Sequence, residues 1–105
     1  MKIRHLLVLS AALLFAGNAL ADDGEALLKK NNCSVCHNLN NKTVGPALKS
    51  IATKYSGDAT AQAKLEAKVR SGGSGSFGTM AMPKQAANVS DADIKAIVGW
   101  ILKLK

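Results

Sequence analysis

Apolar positions in this chain recur at helical spacing, and nowhere do they sustain the two-residue alternation of a half-buried strand, which predicts an all-α domain. The clearest stretch lies near the C-terminus, where Ile94, Ile97, Val98, Ile101 and Leu102 fall on one helical face. Ser90 stands at its N-cap with Asp93 at the capping-box position, and Lys103 and Lys105 complement the negative end of the helix dipole. Upstream, Leu48, Ile51, Ala52 and Tyr55 match the i, i+3, i+4, i+7 pattern of a short helix opening at Ala47 and closed by Ser56-Gly57. Between these two, Ala61, Leu65 and Val69 recur at every fourth position behind Asp58 as N-cap, and Gly72-Gly73 ends the run. The opposite face of that helix carries Lys64, Glu66, Lys68 and Arg70. Asp22, Asp23 and Glu25 ahead of Lys29 and Lys30 suit the dipole of a first helix from about Gly24 to Asn31.

The start of the chain follows a different pattern. Lys2 and Arg4 precede an apolar run from Leu6 to Ala16, and Ala19 and Ala21 put small residues at the two positions a signal peptidase reads. Residues 1–21 are therefore expected to be a cleaved secretory signal peptide and residues 22–105 the mature domain, placed in the periplasm. The run falls short of the roughly 20 apolar residues that cross a bilayer, and Gly17 and Asn18 interrupt it, so no stable membrane insertion is expected. Cleavage also removes His5, which leaves His37 as the sole histidine of the mature domain.

Composition then narrows the class. With 105 residues, 48% of them apolar, the chain is one small domain with enough hydrophobic content to fold. Aromatics are only 4%, and in the mature region they are Tyr55, Phe77 and Trp100, so a core of protein side chains alone would be thin. A bulky, flat cofactor would supplement it. Fourteen Lys+Arg against 7 Asp+Glu make the chain basic. Export and the lack of a basic helix with base-reading side chains argue against nucleic acid. Most of the lysines are expected to be solvated, with a subset able to steer an acidic protein partner.

Residues 71–84, between the last two helices, are rich in Gly and Ser but also hold Phe77, Met80, Met82 and Pro83. A flexible tether does not need those residues, and nothing beyond the segment is large enough to be a second domain. Glycines here would instead let the backbone approach a flat ligand closely.

The chemistry concentrates at Cys33-Ser34-Val35-Cys36-His37, a C-x-x-C-H motif of the kind that attaches c-type haem. Each thiol adds across one porphyrin vinyl group to form a thioether, and the histidine that follows is placed to coordinate the iron. A zinc site needs about four ligands, and the mature chain offers two Cys and one His. A thioredoxin-like dithiol would need a βαβ context, and a disulfide closing so small a ring gains little. With His37 as proximal ligand and no second histidine, the sixth position falls to methionine, lysine or water. Met82 is the preferred candidate because Pro83 stiffens the chain beside it and the loop is long enough to bring it over the distal face, with Met80 as its rival.

The mature chain resembles the small bacterial class I cytochromes c of the c551/c552 type over essentially its whole length. The likeness rests on Cys33-Ser-Val-Cys-His37, Val44-Gly-Pro-Ala47, Phe77-Gly-Thr-Met-Ala-Met-Pro83 and Gly99-Trp-Ile-Leu102, in that order. It implies about four helices wrapped around one covalently attached haem c and its iron. It further implies that the Pro46 carbonyl accepts from the proximal imidazole of His37, that Met82 is the sulfur ligand, and that Trp100 packs between the terminal helices. Phe77 stands where the family commonly has tryptophan, whose indole donates to a haem propionate. Phenylalanine keeps the packing and loses the donor, which makes Lys68, at a position often held by arginine, or Lys84 a substitute partner. Gln85 replaces an asparagine that often bonds near the methionine sulfur.

These readings predict a soluble, monomeric, periplasmic monohaem carrier of single electrons between redox proteins, not an enzyme. The alternative is a haem-based gas sensor or small peroxidase with a labile sixth ligand.

Overall fold

The computed structural model describes residues 16–105. Among them are four α-helices, α1 (Ala16–Lys30), α2 (Leu48–Lys54), α3 (Ala61–Ser71) and α4 (Asp91–Leu102), and one turn of 3-10 helix over Cys33–Val35. The all-α expectation holds, and the four helices lie where the hydrophobic periodicity put them. Most of the expected signal peptide, residues 1–15, lies outside the described residues.

Two boundaries differ from the sequence reading. The first helix already includes Ala16, the first described residue, and so extends well before Gly24; Ala19, Leu20 and Ala21 are strong helix formers. Asp22 and Asp23 consequently sit inside α1 and not at its positive end. At α3 the N-cap is Thr60, without a side-chain cap, and not Asp58. Asp58 acts two residues earlier, its Oδ1 accepting from the Thr60 amide at 2.8 Å and the Thr60 hydroxyl at 2.6 Å. An Asx turn thereby leads the chain into the helix without capping it.

The other caps follow the pattern. Ser90 Oγ accepts from the Asp93 amide at 3.1 Å and opens α4. Gly72 ends α3 with φ 70°. After α1 the chain turns through Asn32 at φ 63°, the one non-glycine residue with positive φ among those described, and so delivers Cys33 to the 3-10 turn.

α4 is the spine. It packs along α1 and also against α2 and α3. Leu28, Leu48, Ile51, Ile97 and Ile101 form one buried cluster, and Val89, Ile94 and Val98 form a second, to which Leu65, Val69 and Leu102 add partly buried surface. The α1–α4 crossing is close because Gly24 is buried there, and a Cβ on it would collide with Trp100 Cβ and the Ala96 carbonyl. Trp100 thus lies between the terminal helices, as the family resemblance implies.

Arg70 joins α3 to the start of α4. Its guanidinium donates to the carbonyls of Ala86 at 3.0 Å and Val89 at 2.6 Å and to Asp91 Oδ1 at 2.7 Å. The sequence pattern placed Arg70 on the face opposite the apolar one and gave it no partner; its partners lie 16 to 21 residues away and leave no local signal.

Candidate haem site

Between the 3-10 turn, the inner faces of α2, α3 and α4 and the 71–84 loop lies a cavity of about 550 Å³. That is within the usual range for a cofactor pocket. Leu28, Leu48, Ile51, Leu65, Val69, Ile97, Val98 and Ile101 supply an aliphatic floor. Of the residues singled out in the sequence, Cys33, Cys36, His37, Pro46, Lys68, Phe77, Met80 and Met82 line it, whereas Lys84, Gln85 and Trp100 do not.

The turn that presents the thiols is held by its own carbonyls. Cys33 O accepts from the amides of Cys36 at 3.2 Å and His37 at 3.0 Å, while Cys36 O accepts from the Gly45 amide at 2.8 Å and the Thr43 hydroxyl at 2.7 Å. No disulfide joins Cys33 and Cys36. Burial pushes the Cys33 thiol above its usual range, opposed by a backbone hydrogen bond and reinforced by neighbouring Cys36.

The His37 ring is fixed by one bond and one close contact. Nδ1 lies 2.8 Å from Pro46 O, and because a carbonyl can only accept, Nδ1 carries the proton and Nε2 keeps its lone pair. Gly45 packs against the ring: a Cβ there would lie 2.7 Å from His37 Cε1 and 2.9 Å from Nδ1. The pattern Val44-Gly-Pro pointed to Pro46 and not to this role of Gly45.

The methionine loop is structured. Gly73 and Met82 exchange both backbone hydrogen bonds at 2.9 Å in an isolated antiparallel bridge, which closes residues 73–82 into a hairpin-like loop. Met82 is half-buried at its base, whereas Met80 is 68% exposed nearer the tip. Phe77 lies at the rim, where Lys54 faces its ring. Lys68 Nζ sits on the same side, 3.4 Å from the Ser74 carbonyl. The role of Lys54 left no mark in the sequence, where it is one lysine among many.

This donor set fits haem c. Two adjacent thiols, an imidazole with a free Nε2 and a thioether meet at one apolar cavity with lysines at its edge. Among the described residues no three His, Cys, Asp or Glu side chains converge to hold a metal ion on their own.

Fold and site together define a small all-helical haem protein. The chain belongs to the cytochrome c family, whose model, described as "Cytochrome c", matches residues 21–105. It is 51% identical over 96 residues to cytochrome c-552 of Nitrosomonas europaea, covering 91% of this chain and 90% of that one. It is 38% identical over 100 residues to cytochrome c-551 of Pseudomonas aeruginosa, covering 95% and 94%. The crystal structure of wild-type Nitrosomonas europaea cytochrome c552 superposes with a TM-score of 0.72 at 51% identity, covering 77% of this chain and 99% of that one. The cofactor is accordingly one covalently bound haem c with its iron, and Cys33 and Cys36 are the cysteines of its C-x-x-C-H arrangement.

Proposed function

We propose that the protein is a soluble periplasmic monohaem electron carrier, exported by the signal peptide of residues 1–21 and acting as residues 22–105. The observation that carries this reading is that the oriented imidazole of His37 and the half-buried Met82 of the bridged loop line one apolar cavity. When bound, the haem supplies a one-electron iron couple.

The chain's own residues do the rest. Cys33 and Cys36 become the two thioethers that make attachment permanent. Pro46 O holds the His37 ring so that Nε2 would bind the iron, its basicity raised by the bond at Nδ1. Met82 would hold the iron through its thioether, which would leave no place for a substrate there. The aliphatic floor excludes water, so the charge change of each turnover meets little solvent reorganisation. Lys68, which lines the cavity, is the cationic partner for a propionate in place of the donor that Phe77 lacks, with Lys84 as the alternative. Among the described residues no helix is long and apolar enough to cross a membrane. The excess of lysine suits acidic redox partners, and electron transfer to them slows as salt rises.

The test is the visible spectrum of the oxidised protein and its variants. The far-red band of iron–methionine sulfur ligation is expected in wild type and in Met80→Ala and absent in Met82→Ala. The reverse pattern would reassign the ligand to Met80. High-spin iron in wild type would favour the gas-sensor or peroxidase reading.

A further inference from the structure

The loop bearing Met82 is fastened to the end of α3, backbone against backbone. Gly72 donates to Lys68 O at 2.6 Å, ends the helix at φ 70° and ψ −160°, and hands the chain to the Gly73–Met82 bridge. That combination of angles is essentially restricted to glycine. A Cβ on Gly72 would run into Met82 O and would lie 2.7 Å from Lys84 N and 2.9 Å from Pro83 C. All three are main-chain atoms, so no side chain can swing aside to make room. α3 itself is a fixed support, held by Leu65 and Val69 on the core and by the three bonds of Arg70. The rest of the loop is lightly held: Thr79, Met80 and Ala81 are exposed.

We propose that Gly72 is the positioning residue of Met82: the missing side chain at the end of α3 sets how closely the Met82–Pro83 backbone seats against the helix, and so where the methionine stands over the cavity. The proposal rests on Met82 as the sulfur ligand. Any side chain at position 72 lifts the Met82 peptide off α3 and weakens its hold on the iron while leaving the thioether itself intact.

The test compares the purified holoproteins Gly72→Ala and Gly57→Ala. Gly57 has a similar φ of 79° with nothing within 4 Å of its Cβ, so alanine there brings backbone strain without displacing Met82. The readouts are the far-red band of the oxidised protein, the midpoint potential and the affinity for added imidazole. In Gly72→Ala the band weakens, the potential falls and imidazole binds about tenfold more tightly, because the open form is more populated. Gly57→Ala keeps the wild-type band, potential and imidazole affinity even if its thermal stability falls. A wild-type band and imidazole affinity in Gly72→Ala, or equal changes in Gly57→Ala, would overturn the proposal. A wild type without the band would overturn the ligand assignment beneath it.

Should Gly72→Ala fail to accumulate, hydrogen exchange on the wild-type holoprotein decides. The Gly73 and Met82 amides are expected to exchange at least about tenfold more slowly than those of Thr79 and Ala81. Equal rates would show that the bridge does not hold Met82 to α3.

Discussion

The ammonium of Lys54, in the last turn of α2, stands 4.7 Å from the centroid of the Phe77 ring, and the same Nζ donates to the Ser76 carbonyl. α2 and the tip of the methionine loop are thus joined by one side chain reaching across 22 residues of sequence. Where the family commonly has an indole donor, this chain uses the face of a phenyl ring to receive a cation.

Lys54→Met, which keeps the aliphatic stem, should lower the stability of the holoprotein by about 0.5–1 kcal/mol, the usual range for an exposed cation–π pair. Lys54→Arg should retain most of it. A double-mutant cycle with Phe77→Leu in chemical denaturation measures the coupling, and a coupling of zero would mean that the pair makes no contact in solution.

Gly45→Ala should be costlier, because the new methyl meets the His37 ring and not open solvent. Overpacking of this kind costs about 1–3 kcal/mol, and relief by turning the ring breaks the bond from Nδ1 to Pro46 O. The expected result is a shifted midpoint potential together with lower stability. Loss of stability at an unchanged potential would mean that the ring keeps its orientation.

Arg70 separates two contributions that an ion-pair count would merge. The Asp91 side chain is 94% exposed, so its pairing with Arg70 is worth less than about 1 kcal/mol. The bond to Val89 O is part-buried and charge-assisted and contributes about 1.5–3 kcal/mol, and the exposed bond to Ala86 O contributes less. In urea denaturation Arg70→Met should therefore destabilise the protein several times more than Asp91→Asn. Equal effects would assign the contribution to the ion pair.

Asp58 gives the fold a small acid-sensitive element. The Thr60 hydroxyl, followed by the Thr60 amide, holds its carboxyl below the ordinary value, against slight desolvation, and Lys64 adds to the lowering. A depressed folded-state pKa means that the contribution is complete above the unfolded aspartate value of about 3.9 and disappears as pH falls through the lower folded one. The stability difference between wild type and Asp58→Ala should stay constant from neutral pH to about pH 5 and shrink below it. A difference that persists undiminished in strong acid would show that the turn does not depend on the charge.

Much of this architecture was legible in the chain because its signals are local. Ile94, Ile97, Val98 and Ile101 repeat with the helical period and are all buried, and the Ser90 cap forms as its position predicts. C-x-x-C-H places three functional groups within five residues, so spacing alone brings them together. The missed features depend on distance in space. Gly45 and Gly72 matter through what a Cβ would strike, and Lys54 and Arg70 through partners far along the chain, none of which a sequence window displays. The extension of α1 before Gly24 was missed for another reason: the helix-forming residues Ala19, Leu20 and Ala21 lie in the expected signal peptide and were left out of the helix reading.

Filling of both axial positions by the chain itself is the claim on which the electron-carrier reading depends, and exposure of the reduced holoprotein to carbon monoxide tests it most directly. The reduced spectrum should be low-spin and unchanged by the gas, because Met82 holds the site. Prompt conversion to a carbon monoxide complex at neutral pH would contradict the account and give the open coordination position of a sensor or a peroxidase.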